Sequence, residues 1–198
     1  MSGPKPLRVF IVAIRTWVVG FLVLGLAYPL LVTGIAQLAL PEPAGGSLVT
    51  AADGTVVGSR LIGQAFSSEG YFHGRPSAAG EGYDAMASGG SNLGPTSALL
   101  AETLAERADA ALRREPGLER GLIPADMLTA SASGLDPDIS PANALAQVPR
   151  VAEARGLTED EVRQLVFSMV RERDLGIIGE PRVNVLELNM ALDGIGTR

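Results

Sequence analysis

The chain has 198 residues, with 22 acids, 16 bases, one histidine and no cysteine, for a formal net charge of −6. The acidic balance argues against nucleic acid as a partner, because phosphates require a basic face. The absent thiols exclude disulfides, thiolate metal sites and cysteine nucleophiles, and a single histidine, His73, excludes a multi-histidine metal site within the chain.

Thr16 to Leu40 are 25 consecutive positions without a charge, preceded by Lys5, Arg8 and Arg15, which are all the bases before Asp53. As a helix the run would be roughly 37 Å long, enough to cross a hydrocarbon core of about 30 Å. It exceeds the ~7–15 residues of a signal-peptide core, so a retained single-pass anchor is expected. A cleaved signal using Gly34 and Ala36 as its small-x-small site is the competing reading. The positive-inside rule predicts a cytoplasmic tail at 1–15, a transmembrane helix at 16–40, a linker at 41–47 (PEPAGGS) and an extracytoplasmic domain at 48–198. Linker and domain together, residues 41–198, hold all 22 acids against 13 bases. Gly20, Ala27 and Gly34 recur every seven residues, which predicts one face of small residues for close packing on a partner helix. The span contacts membrane lipid and carries no ionisable side chain that could relay an ion.

Beyond the linker, Leu48-Val49 and Thr55-Val56-Val57 flank Asp53-Gly54 and predict two strands around a turn, the second able to run on through 58–66. Phe66 to Gly94 is rich in Gly, Ser and Ala, with aromatics at Phe66, Tyr71, Phe72 and Tyr83, and reads as a long ordered loop. Pro95 opens a predicted helix to Glu115 with Leu100, Leu104, Ala108 and Leu112 on one face, ended by Pro116-Gly117. Ser140-Pro141 caps a further helix that Pro149 should kink or divide. Thr158 and Glu161 form a capping box ahead of Val162, Leu165, Val166, Met169 and Val170, with Arg171 and Arg173 placed to complement the helix end. Residues 182–189 (RVNVLELN) alternate and predict a strand. The sum is one transmembrane helix followed by a single α+β domain without an internal repeat.

Three patterns bear on chemistry. Gly89 to Ser97 (GGSNLGPTS) has the spacing of a phosphate-binding loop, but Pro95 stands where the lysine should be, so a glycine-rich turn into a helix is the better reading. His73 with Asp84 or Asp136 and a serine would supply a hydrolase triad, yet no G-x-S-x-G frames any serine. Asp136 and Asp138 flank Pro137 in a rigid turn rather than a metal site. Neither a P-type phosphorylation motif nor a potassium filter occurs, so by itself the chain reads as neither pump nor channel.

Four blocks in order, YFHGRPSA (71–78), YDAMASGGSNLGPTS (83–97), LTASASGLDPDISPANALAQVPRVAEARGL (128–157) and GEPRVNVLELNMALD (179–193), strongly resemble KdpC, the C subunit of the bacterial Kdp potassium-transporting ATPase. The resemblance implies a non-catalytic accessory subunit in the bacterial cytoplasmic membrane, with one membrane helix near its N-terminus. Its implied partners are a channel-like potassium-binding subunit, a P-type ATPase subunit and a small peptide subunit, with potassium as the transported ion. No cofactor is bound covalently, and ATP is met through the complex. The family is described as a catalytic chaperone that raises the ATP affinity of the ATPase subunit, and a glutamine in a stretch likened to the ABC signature falls on ANALAQ, at Gln147. The chain departs from the family pattern where Asp138 replaces a histidine that often follows GLDP, and where His73 replaces an aromatic before GRPSA. An external domain and direct contact of Gln147 with cytoplasmic ATP exclude each other, and the topology has the stronger warrant in three bases set against a long acidic domain. Subunit contacts are expected in the loops carrying Tyr71, Phe72 and Arg75 and Gly89, Gly90, Asn92 and Gly94, besides the small face of the helix. The alternative function is a membrane-anchored hydrolase of the cell envelope using His73.

Overall fold

The computed structural model describes residues 6–51 and 53–195 and is α+β, with one long apolar helix at the N-terminal end. Lys5 and the rest of 1–5 lie outside the described residues. The chain divides into two compact units, one reaching Leu48 and the other beginning at Val49.

In the first unit a helix of 34 residues runs from Pro6 to Ala39. Apart from Gly20 and Ala36, all its residues are exposed, as suits an element whose apolar side chains have no protein around them. It starts ten residues before the uncharged run. Its first part, α1 (Pro6–Gly20), passes through a π-helical stretch at Phe21–Ala27 into α2 (Tyr28–Ala39). Pro29 explains the wide turns. It has no N–H to give the preceding turn, and the backbone adapts so that Tyr28 N–H reaches the Val23 carbonyl, five residues back. One residue added to a turn rotates the remainder of the helix by roughly 100°. Ala27 and Gly34 therefore keep a common face while Gly20 is displaced by about a quarter turn, which corrects the expectation of three small residues in line. Pro41–Ala44 (α3) forms a single helical turn within the stretch read as a plain linker.

β1 (Leu48–Thr50) and β2 (Val56–Ser59) pair around Asp53-Gly54, where Asp53 accepts from Thr55 N–H and Gly54 takes a left-handed conformation. β2 stops at Ser59 instead of continuing to residue 66. The long segment that comes next has one 3₁₀ turn at Ala85–Ala87 and is otherwise irregular, though firmly hydrogen-bonded. α4 (Ala98–Arg114) starts three residues later than expected: Pro95 lies in the preceding turn, and Ser97 caps the helix by accepting from Leu100 N–H. α5 (Ala125–Leu128) is one short turn.

The core is built on three helices. α6 (Pro141–Arg155) begins at the Ser140 cap and ends at Gly156, whose left-handed backbone closes the helix. Pro149 does not divide it; Val148, Val151 and Ala152 bury on either side and hold the helix together through the missing hydrogen bond. α7 (Glu159–Met169) carries the Thr158–Glu161 capping box and buries Val162 and Val166 against α6. Arg171 and Arg173 lie past its end and pair with Glu187 and Glu180, so neither complements its dipole.

The largest departure from expectation is at 182–189. Only Val183–Asn184 (β4) is extended, antiparallel to β3 (Asp138–Ile139) with Asp138 opposite Asn184, and Val185–Ile195 forms α8. Asn184 accepts from Glu187 N–H and so starts the helix, while Val185, Leu188 and Leu192 turn inward at helical spacing. Phe72, wholly buried, completes this core.

Candidate functional site

The functional segments converge on residues 69–76, a turn at 69–71 that runs into an irregular stretch whose backbone gains hydrogen bonds from side chains instead of a neighbouring strand. Asn189 on α8 accepts from Phe72 N–H at 2.8 Å and donates to the Phe72 carbonyl at 2.9 Å. Gln147 on α6 treats the next residue in the same way, accepting from His73 N–H at 2.8 Å and donating to the His73 carbonyl at 3.0 Å. Two carboxamides thus satisfy the backbone N–H and C=O of two consecutive residues, which burial would otherwise leave unpaired. Gln147 Nε2 also donates to Asn143 Oδ1 and its Oε1 also accepts from Arg150 Nη2, both at 2.8 Å. Its two donors and two acceptor positions are all spent within the domain.

Arg150 extends the network. Its side chain is 5% exposed, and it donates to the carbonyls of Glu69 and Tyr71 and through Nε, at 2.9 Å, to Glu115, whose side chain is fully buried. Arg114 approaches the same carboxylate at 2.8 Å. Arg155 donates to the Gly70 carbonyl, pairs with Asp193 and lies 4.5 Å from the Tyr71 ring centre. Further along, Arg75 pairs with Asp136 at 2.8 Å and bonds the Thr129 carbonyl, while Tyr83 donates to the Arg75 carbonyl at 2.6 Å. Gly74 permits this, because a Cβ there would collide with the Tyr83 hydroxyl.

Beside the segment lies a cleft of about 320 Å³. α4 supplies Arg107, Ala110, Ala111 and Arg114 at helical spacing, the 65–83 segment supplies the facing wall with Phe66, His73, Arg75 and Tyr83, and Asn143 and Gln147 contribute from α6. No acid is among the lining residues. Burial, and then the charges of Arg150 and Arg114, hold the His73 imidazole below its ordinary pKa against a raising contribution from the Ser68 carbonyl. Burial raises the Tyr83 phenol, aided by Asp136.

The expected site residues fall into distinct places. Gln147 is 1% exposed and fixed in the clamp. Phe72 is wholly buried and offers no surface to a subunit, which corrects its selection as a contact residue. Tyr71 and Arg75 are half-buried and internally bonded. Gly89 N–H donates to the Ser133 carbonyl and Gly90 rests on Ala132, so the phosphate-loop look-alike packs on 132–134, leaving Asn92 and Gly94 exposed. The triad does not assemble: the His73 ring lies 3.1 Å from the Ser68 carbonyl, Asp84 caps Met86 N–H and Asp136 holds Arg75. Asp138 meets Asn184 and Arg182, with burial raising its carboxyl. Sequence reading missed Asn189, Arg150 and the Arg107–Arg114 stripe. The stripe was visible as i, i+3, i+4, i+7 on α4, on a different line from the leucines chosen there.

A family model described as "KdpC: K+-transporting ATPase, c chain" matches residues 10–194. The chain is 60% identical over 170 residues to a potassium-transporting ATPase KdpC subunit of Caulobacter vibrioides strain NA1000, covering 86% of this chain and 85% of that protein. It is 59% identical over 175 residues to the KdpC subunit of Gemmatimonas aurantiaca, covering 88% and 86%, and 55% identical over 184 residues to that of Myxococcus xanthus, covering 93% and 87%. With the match running from inside the apolar helix to the last turn of α8, the chain belongs to the KdpC family.

Proposed function

We propose that the chain is a non-catalytic accessory subunit of an ATP-driven potassium-import complex, anchored by its single helix in the bacterial cytoplasmic membrane. The observation that carries this reading is the family match over residues 10–194, together with an exposed apolar helix of 34 residues. Its partners are the channel-like, P-type ATPase and small peptide subunits. The N-terminus is cytoplasmic, and the α+β domain lies outside, where it caps the ion entrance of the channel-like subunit. The domain's role is assembly. Gln147 has no free amide valence to offer a nucleotide, so any influence on the ATP affinity of the ATPase subunit passes through the shape of the complex. The exposed Asn92–Gly94 turn and the face shared by Ala27 and Gly34 are the proposed contacts.

Mild detergent extraction of a tagged chain, followed by identification of copurifying membrane proteins, tests the reading. Stoichiometric recovery of a potassium-transporting ATPase is the expected result. A chain that emerges alone from native membranes containing those subunits overturns it.

A further inference from the structure

The cleft between α4 and the 65–83 segment is built for a negative ligand. In a chain with 22 acids, the lining holds three arginines and no carboxylate. Arg75 is committed to Asp136 and Thr129. Arg107 gives one described hydrogen bond, Nη1 to the Leu128 carbonyl at 2.7 Å, and no ion pair among the described residues. Arg114 uses only Nε, toward Glu115. Nε and Nη2 of Arg107 and both Nη atoms of Arg114 thus remain available, seven residues and about 10 Å apart on one helix face.

We propose that this cleft binds the phosphate group of a small phosphomonoester between the guanidinium groups of Arg107 and Arg114. A planar carboxylate is satisfied by one bidentate fork, whereas two forks arriving from positions two turns apart suit a tetrahedral group whose oxygens diverge. At about 320 Å³ the space exceeds a bare phosphate, and Phe66, Ala110, Ala111 and Met127 give an organic body an apolar wall. Asn143 and Gln147 act here only as a fixed floor, because their amides are already paired. The site does not depend on the family reading, since it rests on the cleft alone.

Calorimetric titration of the full-length, detergent-solubilised chain with inorganic phosphate and then glycerol 3-phosphate tests the proposal. Saturable binding is expected, stronger for the ester and weakened by added salt. Arg107→Gln and Arg114→Gln should each lower affinity tenfold or more, while Arg113→Gln, outside the lining, should leave it unchanged. A measurement free of mutation accompanies these: phosphate should slow phenylglyoxal modification of Arg107 and Arg114 relative to Arg113, read by mass spectrometry. In nanodiscs, protection by phosphatidic acid, itself a phosphomonoester, without any by glycerol 3-phosphate would assign the phosphate group to a lipid headgroup. Absence of saturable binding with no protection by either source overturns the proposal, as does binding that survives the double substitution.

Discussion

At the scale of single residues, Gln147 and Asn189 do with carboxamides what a neighbouring strand does with its backbone. Replacing Gln147 with alanine would strand His73 N–H and C=O, Asn143 Oδ1 and one Arg150 donor in a buried setting, at a cost of about 3 kcal/mol. Thermal denaturation of the purified chain should show this loss, and Gln147→Glu should be nearly as damaging because a carboxylate cannot donate to the His73 carbonyl. His73 gives a pH signature. Because burial lowers its folded pKa, the unfolded chain takes up the proton first as pH falls below about 6.5, so stability declines from there until the folded imidazole also protonates. The midpoint temperature of the native chain should drop more between pH 7 and pH 5 than that of His73→Gln. Neither role was readable in sequence. GRPSA and ANALAQ stand out as blocks, but only folding shows that the second exists to hold the residue in front of the first.

At the scale of elements, signals that rest on strong local caps were legible and those that depend on packing less so. The Thr158–Glu161 box and the Ser140-Pro141 start are where the sequence places them, since both rest on local hydrogen bonds. The reading of 182–189 as a strand failed because two periodicities overlap in VNVLELN: alternation is satisfied by Val183 and Val185, while Val185, Leu188 and Leu192 satisfy a helix. Asn184 followed three residues later by Glu187 was the deciding signal, a helix start inside an apparently alternating run. Of the two outcomes expected at Pro149, division does not occur, because tertiary packing on both sides of it outweighs its local cost. These contrasts rank two caps. Asn184→Ala removes the cap of Glu187 N–H and bonds to the Arg60 carbonyl and Asp138 from a buried position, whereas Thr158→Ala removes an exposed cap. Urea denaturation should show about 1 kcal/mol lost for Thr158→Ala and at least twice that for Asn184→Ala.

For the whole molecule, charge and hydrophobicity are segregated along the chain. All 22 acids come after residue 40, and the bases before Asp53 all precede Thr16. The anchor was the most legible feature because 25 uncharged positions admit few alternatives; its wide turns were hidden because they depend on how the backbone answers Pro29. The proposed orientation makes a direct forecast. Protease added to intact spheroplasts should digest the domain beyond residue 48, and inside-out vesicles should protect it. The reverse pattern would remove the domain from the outer face. At physiological salt the domain's acidity acts over only about 8 Å, so its charge is expected to matter at contacts rather than at a distance.

The Phe72–Asn189 clamp spans 117 positions of sequence, and its Gln147 counterpart spans 74. A growing polypeptide therefore cannot settle its central segment until synthesis has passed residue 189, which makes maturation of the domain a late event rather than a progressive one. A frameshift or nonsense codon shortly before that point would spare nearly all the apolar core yet release an unfastened middle, exposing it to quality-control proteolysis.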